Sequence, residues 1–315
     1  MPSGYIDADS YDFRLFGYFL SELEGQGIMN RPCKVVFILS TNYAGSHLLT
    51  QLLGAHPQCR SIGELHNYRK YQDRPDDRHS VVNDFAVNPW FAGLDSLPQQ
   101  QWHPQILKTI QAEQPDVCCL VDNSKKADWA SKFVGHAEID ARFVHLIRDP
   151  RALVRRWEKT YDSADAKRSQ RRRLVRANPR YLLKAFTGSE HEIYLYKWLQ
   201  ANQEITSFLA RTGQSANVVT YRDLAADTEQ ALQRLMPQLG LDYAVSQLAF
   251  GEVEHRGTLK KEYLEQSKRS EIRLDMRWLQ ELPEKAQEMI AENRDVQRYL
   301  SELGLHLRPD GLSRR

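Results

Sequence analysis

The chain has 315 residues, of which 43 are Lys or Arg and 41 are Asp or Glu, giving a formal net charge of +2. This balance argues against nucleic acid as the partner, and a hydrophobic content of 41% is typical of a globular protein that buries a large core. The four cysteines have no CxxC spacing, which favours reduced core residues in a cytoplasmic protein over a disulfide framework or a zinc site. They are Cys33, Cys59, Cys118 and Cys119.

The first 30 residues predict a leading amphipathic helix, with Phe13, Phe16 and Phe19 on one face. We expect this face to pack against the rest of the protein, with membrane contact as the weaker alternative. Charged residues interrupt the apolar positions, so the sequence predicts no integral membrane segment.

Residues 34–56, KVVFILSTNYAGSHLLTQLLGAH, predict a strand, a tight turn and a helix. The apolar run 34–39 is typical of a buried parallel strand, and the helix opens at Ser46 after Gly45. A helix N-terminus that follows a strand in this way offers free N–H groups and a favourable dipole to an anion. Because no lysine precedes Ser46, the turn lacks the GxxxxGK[ST] pattern of nucleoside triphosphatases.

The next stretch predicts a short strand at 60–62, a polar and irregular segment at 67–105, and a buried strand at 117–121. We expect the segment 67–105 to cover a cleft rather than to build a sheet, because it is rich in Pro and polar residues with scattered aromatics.

A second phosphate-suited site is predicted at residues 141–157, ARFVHLIRDPRALVRRW. A strand at 142–147 ends at Arg148, and Pro150 suits the first turn of the helix that follows. Open α/β sheets place ligands at the carboxyl ends of their strands, where a guanidinium can bind a phosphate with two hydrogen bonds. The alternative is an ion pair of Arg148 with Asp149 or Glu158.

The segment 151–184 carries twelve Lys or Arg against three acidic residues. A solvated helix face is the default interpretation of such a run. The functional alternative is a basic rim that attracts an anionic acceptor, such as an acidic glycan. A nucleic-acid platform is the weakest interpretation, because few aromatic residues are interleaved.

The rest of the chain predicts a strand at 217–221 and helices at about 188–211, 225–238 and 276–302. Strands that alternate with helices indicate an α/β fold of three layers, α/β/α, around a mainly parallel sheet with a P-loop-like core. We expect a single domain over 1–315. Two anion sites on separate strand ends indicate a nucleotide with two separated anionic groups.

These motifs resemble those of the sulfotransferases that use 3′-phosphoadenosine 5′-phosphosulfate (PAPS). TNYAGSHLL resembles their 5′-phosphosulfate loop, and LIRDPRALVRRW resembles their 3′-phosphate motif. LVDNSKKADW (120–129), TYRDLAADTEQALQRLMPQLGL (220–241) and HRGTLKKEY with IRLDMRW (255–278) follow in the family's order. The chain is most similar to the bacterial and Golgi-type members that carry "GE" after the loop, here Gly63-Glu64.

The resemblance implies a donor site for PAPS, released as the bisphosphate product PAP, without a metal. The residues implied in binding the donor are Tyr43, Ala44, Gly45, Ser46, His47, Leu48, Arg148, Arg156, Thr258, Lys260 and Lys261. Asp275 and Trp278 are interpreted as structural.

The resemblance also implies catalytic roles. Glu64 matches the general base that accepts the acceptor's proton, with His66 as the second candidate. Lys125 matches the lysine of a "DSSK" motif and would stabilise the sulfuryl group or the leaving oxygen. Their structural alternatives are a capping or ion-paired carboxylate and an exposed lysine at a helix start.

The chain departs from the family pattern at two positions. Tyr43 stands where the family usually has Lys or Arg, and that basic residue stabilises charge on the bridging oxygen. His47, where the family usually has Thr, would supply a replacement positive charge if protonated. Arg156 stands where many members have a serine that binds the 3′-phosphate.

We therefore expect a cytoplasmic enzyme that moves a sulfuryl group from PAPS to a hydroxyl or amine acceptor, with a glycan favoured by the basic segment. The alternatives are a nucleotide-binding protein that Tyr43 has deprived of turnover, and a small-molecule kinase, which the missing loop lysine disfavours. The segments 67–105 and 160–186 are expected to bind the acceptor. The sequence names neither the acceptor nor the oligomeric state.

Overall fold

The computed structural model describes residues 32–72, 76–77, 81–82, 84–253, 259–260 and 271–314. In chain order its strands are β1 (Cys33–Ser40), β2 (Cys59–Gly63), β3 (Asp76–Asp77), β4 (Val81–Val82), β5 (Cys119–Lys125), β6 (Ile139–Ile147), β7 (Ala216–Thr220), β8 (Leu259–Lys260), β9 (Leu305–Arg308) and β10 (Gly311–Arg314). Its α-helices are α1 (Ser46–Gly54), α2 (Tyr68–Tyr71), α3 (Trp102–Gln111), α4 (Ala127–Ala130), α5 (Pro150–Thr160), α6 (Ala164–Ala177), α7 (Leu182–Thr187), α8 (Glu190–Arg211), α9 (Tyr221–Ala226), α10 (Thr228–Gln238), α11 (Trp278–Glu281), α12 (Glu284–Glu292) and α13 (Arg294–Glu302).

The central sheet has the strand order β2-β5-β1-β6-β7, and every pair in it is parallel. β1 lies in the middle, because the chain places β5 on one side of it and β6 on the other. The strand order therefore diverges at β1, and α/β folds bind ligands at such a switch point. The predicted α/β fold with a mainly parallel sheet is confirmed, and the five predicted strands of this sheet are all present.

β1 separates two cores because its side chains alternate across the sheet. Val35, Phe37 and Leu39 pack on one face, in the core that includes α3 and part of α8. Val36 and Ile38 pack on the other face, against α1 and α10. Both faces are covered by helices, which explains why the strand is an almost unbroken apolar run. Each fully buried large side chain contributes about 1.5–3 kcal/mol through loss of water contact.

A third core lies between α5, α8 and the C-terminal helices, and it contains Trp157, Trp198 and Tyr299. It also contains Leu305 and Leu312 of the β9–β10 hairpin, an element that the sequence did not predict.

Three predictions need correction. The segment 67–105 does build a little sheet, since β3 and β4 pair with each other and β4 pairs with β8. The predicted helix at 276–302 is three helices, because Pro283 and Asn293 leave helical geometry between them. The helix predicted at 225–238 is divided by Asp227, whose side chain caps α10.

The leading helix predicted for residues 1–30 lies outside the described residues. Among the described helices, none is both long and apolar enough to cross a membrane. The four cysteines are free thiols, three of them buried and Cys118 half-buried, as the sequence predicted.

Candidate active site

The candidate residues follow the carboxyl ends of neighbouring strands. The loop 41–45 follows β1, Glu64 follows β2, Lys125 ends β5 and Arg148 follows β6. Because the strands are parallel, these ends meet at one edge of the sheet. The structure thus brings together the loop, the two catalytic candidates and the arginine that the sequence singled out.

Two left-handed residues shape the loop after β1. Tyr43 has φ 69° and Gly45 has φ 98°. A Cβ atom at Gly45 would lie 2.5 Å from Cδ2 of Tyr221, so both the backbone conformation and the space require glycine. Gly45 is the N-cap of α1. Because it has no side chain to accept from the first-turn N–H groups, these groups remain available to an anion.

Arg148 connects this loop to the late segment of the chain. Its Nη1 donates to the Tyr43 carbonyl oxygen at 2.9 Å, and its Nη2 donates to Asp275 Oδ2 at 2.8 Å. Its guanidinium carbon lies 4.2 Å from the centre of the Tyr221 ring. The buried Nε has no hydrogen-bond partner within the described part of the chain. Arg148 is thus oriented on the loop and retains a donor.

The alternative partners of Arg148 are engaged elsewhere. Asp149 accepts from Arg151 Nη2 at 2.7 Å, and Glu158 lies 3.1 Å from the Nε2 of His191. The ion pair of Arg148 with Asp149 or Glu158 is therefore absent from the described contacts, and Asp275 takes its place.

Asp275 lies between two guanidinium groups. Arg277 donates to its Oδ1 from Nε and to its Oδ2 from Nη2, both at 2.7 Å, while Arg148 contacts Oδ2. The hydrogen bonds from Arg277, against the opposing effect of burial and with the help of Arg148, hold the pKa of Asp275 well below its usual range. Two arginines that converge on one carboxylate make this point strongly selective for an anion.

Glu64 and Lys125 form an ion pair through Oε1 and Nζ. Asn67 Nδ2 donates to the other oxygen, Glu64 Oε2, at 3.1 Å. Burial raises the pKa of Glu64, but the Lys125 ammonium outweighs it, so the pKa lies below its ordinary value.

His47 joins this cluster from the first turn of α1. Its Nε2 lies 3.9 Å from Glu64 Oε1, and its Nδ1 lies 3.4 Å from Asn123 Nδ2. Because an amide nitrogen can only donate, the Nδ1 of His47 accepts this hydrogen bond. In a neutral ring the proton is then on Nε2, the nitrogen that faces Glu64.

A buried network behind the cluster fixes Lys125 in place. Asp122 Oδ2 bonds His103 Nε2 and Trp129 Nε1, each at 2.9 Å, and Oδ1 accepts from the Ser124 amide at 2.8 Å. The Ser124 hydroxyl, which donates to the same Oδ1, accepts from the His66 amide at 3.1 Å. The next residue, Lys125, has φ 64°, a conformation that such a network must hold.

His66 contributes its backbone to this network, whereas the Nδ1 of its ring is buried with no partner among the described residues. Burial lowers the pKa of His66. Within the described part of the chain, the His66 ring makes no hydrogen bond to Glu64 or Lys125. Of the two candidate bases, Glu64 is therefore the one that lies beside Lys125.

Arg156 reaches the loop from α5. Its guanidinium carbon lies 4.7 Å from the centre of the Tyr43 ring. The two positions at which the chain departs from the expected pattern are therefore in contact.

Three predicted donor contacts cannot be placed. Thr258, Lys261 and the side chain of Lys260 lie outside the described residues, although the backbone of Lys260 belongs to β8. Within the described ranges, no group of three His, Cys, Asp or Glu side chains is arranged to hold a metal ion.

The sequence did not single out several residues beside these candidates: Asp122, Asn123, Ser124, Tyr221 and Arg277. Asp275 was interpreted as structural, and the structure places it against Arg148. The first three stand beside Lys125 at a strand end, which is a signal that could have found them. Tyr221 likewise follows β7. Asp275 and Arg277 come from a distant segment, and only their motif context pointed to them.

Comparisons with known proteins give the family of the chain and a similar fold. A family model described as "Sulfotransferase family" matches residues 35–245. No curated protein sequence matches the chain. The sulfotransferase domain of the Synechococcus PCC 7002 olefin synthase is similar in structure, with a TM-score of 0.50 and 16% identity over 89% of this chain and 98% of that one.

Two further solved structures are similar at lower scores. A sulfotransferase domain from the curacin biosynthetic pathway has a TM-score of 0.48 and 16% identity, over 87% of this chain and 98% of that one. A sulfotransferase from Alicyclobacillus acidocaldarius has a TM-score of 0.40 and 14% identity, over 86% and 96%. At such low sequence identities, these similarities concern the fold alone. Because the family model spans residues 35–245, the majority of the chain, this protein belongs to the sulfotransferase family.

Proposed function

We propose that this protein transfers a sulfuryl group from PAPS to a hydroxyl or amine acceptor. The observation that carries the proposal is the convergence of two anion sites with a carboxylate–lysine pair at one sheet edge. Arg148 joins the two anion sites directly, since it donates to the backbone of the loop at Tyr43.

The donor's two anionic groups fit the two sites. The loop between Tyr43 and Leu48 would hold the 5′-phosphosulfate through N–H groups of the first turn of α1 and the buried Ser46. Arg148 would hold the 3′-phosphate, and its unpartnered Nε is a donor suited to it. Gly45 supports this fit, because any side chain there would collide with the Tyr221 ring.

The position of Asp275 supports the same site for the 3′-phosphate. Its carboxylate lies where Arg148 and Arg277 converge, which is the environment that a phosphate requires. We propose that the 3′-phosphate takes over hydrogen bonds that these two guanidinium groups give to Asp275.

The chemical step uses few protein groups. Glu64 would accept the proton of the acceptor hydroxyl as the oxygen–sulfur bond forms. The bond between sulfur and the bridging oxygen breaks in the same displacement, and the bisphosphate PAP leaves with the electron pair. Lys125 would stabilise the sulfuryl oxygens or the leaving oxygen, with His47 beside it.

The ion pair between Glu64 and Lys125 supports a simple order of events. While Lys125 is paired to Glu64, the low pKa of this carboxyl makes it a weak base. Anionic oxygens of the donor would draw the Lys125 ammonium toward themselves. Glu64 would then lose its main stabilising charge, its pKa would rise, and it would become a better base when the donor is bound.

We place the acceptor on the side of Glu64 that faces the segment 67–105. A cavity of about 290 Å³ lies in this segment, lined by side chains that include Tyr68, Phe85 and Phe91. Tyr68 belongs to α2, which follows Glu64 closely in the chain.

A calorimetric titration with adenosine 3′,5′-bisphosphate, with ATP as the control, tests the donor site. We expect tight binding of the bisphosphate and little binding of ATP, because the site has a phosphate anchor for the 3′ position. Absence of bisphosphate binding would remove the proposal. Bisphosphate binding without transfer from PAPS to any acceptor would favour the alternative, a nucleotide-binding protein without turnover.

A further inference from the structure

An exposed apolar patch lies on the short helix α7. Leu182, Leu183 and Phe186 are 52%, 73% and 80% exposed, while Ala185 faces the core. The other strongly exposed large apolar residues in the described ranges are scattered singly, at Val87, Val245 and Leu279. Half of these side chains therefore project from a single helix of six residues, and a cluster of this kind marks an interaction site.

Basic residues are frequent in α7 and in the helix bonded to it. On the neighbouring helix α6, Arg168, Arg172 and Arg176 recur every four residues and share one face. That face is opposite Gln170 and Leu174, which are the buried residues of the helix. Arg180, just before α7, and Lys184, within it, are also exposed.

Most of this charge is not neutralised by the protein. Arg172 and Arg176 have no carboxylate partner in the described ranges. Lys184 lies 3.7 Å from Glu192, and Arg168 pairs with Asp165. A group of cations only partly paired with carboxylates, on helices that also carry projecting apolar side chains, is complementary to a surface that is anionic and apolar beneath.

The two helices are held together as one unit. Arg171 Nη1 donates to the Ala185 carbonyl at 2.7 Å and to the Gly188 carbonyl at 3.1 Å. The apolar patch thus lies on a helix that is bonded to α6, the helix that carries the arginine face.

We propose that the α6–α7 surface docks on an anionic lipid bilayer, with Leu182, Leu183 and Phe186 inserted among the acyl chains and the arginines at the headgroups. The protein binds there peripherally. A bilayer fits better than a protein partner, because three projecting side chains need no complementary shape in lipid, whereas a stable protein interface engages about 20–30 residues on each side. This inference goes beyond the proposed sulfuryl transfer and does not depend on it.

Co-sedimentation of the full chain with vesicles tests the proposal. We expect binding to vesicles of 70% phosphatidylcholine and 30% phosphatidylserine, weak binding to pure phosphatidylcholine, and a loss of binding as salt rises. The double variant Leu183→Ser/Phe186→Ser is expected to bind at least about tenfold more weakly. Arg172→Gln/Arg176→Gln is expected to bind about tenfold to thirtyfold more weakly, from about 1 kcal/mol for each basic residue at the surface.

Matched controls separate this surface from general stickiness. Val87→Ser/Val245→Ser removes exposed apolar residues elsewhere, and Arg211→Gln/Arg298→Gln removes exposed arginines elsewhere; both should bind as the unchanged protein does. Equal binding by all variants overturns the proposal, as does the absence of binding to the anionic vesicles. A dimer in light scattering that Leu183→Ser/Phe186→Ser converts to a monomer, without vesicle binding, would also overturn it and assign the surface to self-association.

Discussion

The guanidinium of Arg156 lies over the ring of Tyr43, 4.7 Å from its centre. These are the two positions where the chain departs from the pattern of PAPS-dependent sulfotransferases. A cation over an aromatic face contributes about 0.5–2 kcal/mol, depending on its exposure. The contact therefore holds the positive charge of Arg156 beside Tyr43, the loop position where the basic residue is missing. The two departures from the pattern thus lie in direct contact.

We predict that Arg156 replaces the charge of the missing loop residue. Arg156→Ala should lower kcat by about tenfold to hundredfold, as expected for one lost group that stabilises transition-state charge. Adding Tyr43→Lys to that variant should restore much of the rate. Tyr43→Phe is the matched control and should change little, because it keeps the ring. A loss of donor affinity at unchanged kcat would show instead that Arg156 binds the 3′-phosphate.

Arg148 provides a prediction for donor binding. Arg148→Ala should weaken binding of adenosine 3′,5′-bisphosphate by roughly 2–4 kcal/mol, because a phosphate in a desolvated site loses charge-assisted hydrogen bonds. Calorimetry measures this, with Arg142→Ala, an exposed pair partner of Asp140, as the control. An unchanged affinity would remove Arg148 from the donor site.

Asp275 tests the same site with the opposite sign. Its carboxylate competes for the guanidinium groups of Arg148 and Arg277, so Asp275→Asn should strengthen bisphosphate binding by about fivefold to tenfold, or about 1 kcal/mol. A weaker affinity in this variant would mean that Asp275 chiefly orients Arg148.

The sequence allowed prediction of those parts of the site that depend on strand order alone. Arg148 directly follows a predicted strand, while Glu64 and Lys125 come about two and four residues after theirs, and parallel strands bring such ends to one edge without further information. Asp275 could not be placed in this way, because 127 positions separate it from Arg148 and only tertiary packing joins them. The helix predicted at 276–302 was wrong for a local reason, since the continuous apolar spacing outweighed the breaks at Pro283 and Asn293.

Glu64 provides a prediction for pH dependence. Its pKa is lowered in the unbound protein by the Lys125 ion pair, and it should rise when the donor engages Lys125. The acid limb of kcat reports the bound complex and that of kcat/KM the free enzyme, so the limb of kcat should lie at higher pH. Glu64→Gln should abolish transfer and keep bisphosphate binding. Full turnover in this variant, or coincident acid limbs, would contradict the role of Glu64.

The buried network at Asp122 provides a prediction for stability. His103 and Asp122 are both fully buried and bonded at 2.9 Å. His103→Ala should lower the free energy of unfolding by about 1–3 kcal/mol, because it leaves a buried carboxylate without one of its hydrogen bonds. Chemical denaturation measures this. Asp140→Ala, which breaks the exposed pair with Arg142, is the control and should cost less than about 1 kcal/mol. A similarly small effect in His103→Ala would show that the network does not depend on the hydrogen bond between His103 and Asp122.

Lys197 provides a second prediction for stability, which concerns its dependence on alkaline pH. Its Nζ donates to Gln170 Oε1 at 2.6 Å and lies 4.4 Å and 4.5 Å from the ring centres of Trp157 and Tyr161. Burial, with a smaller effect of Arg173, lowers the pKa of Lys197 to about 8. In the unfolded chain a lysine keeps its proton up to about pH 10.4.

The charged form of Lys197 therefore destabilises the fold below about pH 8, and this cost disappears as pH rises from about 8 to about 10.4. Lys197→Met keeps the packing on both rings and removes the charge. It should raise the free energy of unfolding at pH 7 by about 1–3 kcal/mol, the cation–π contacts offsetting part of the gain. The gain should vanish near pH 10. Urea denaturation at both pH values tests this, with the exposed Lys108→Met as the control; a gain independent of pH would show that the methionine stabilises through packing and not through the lost charge.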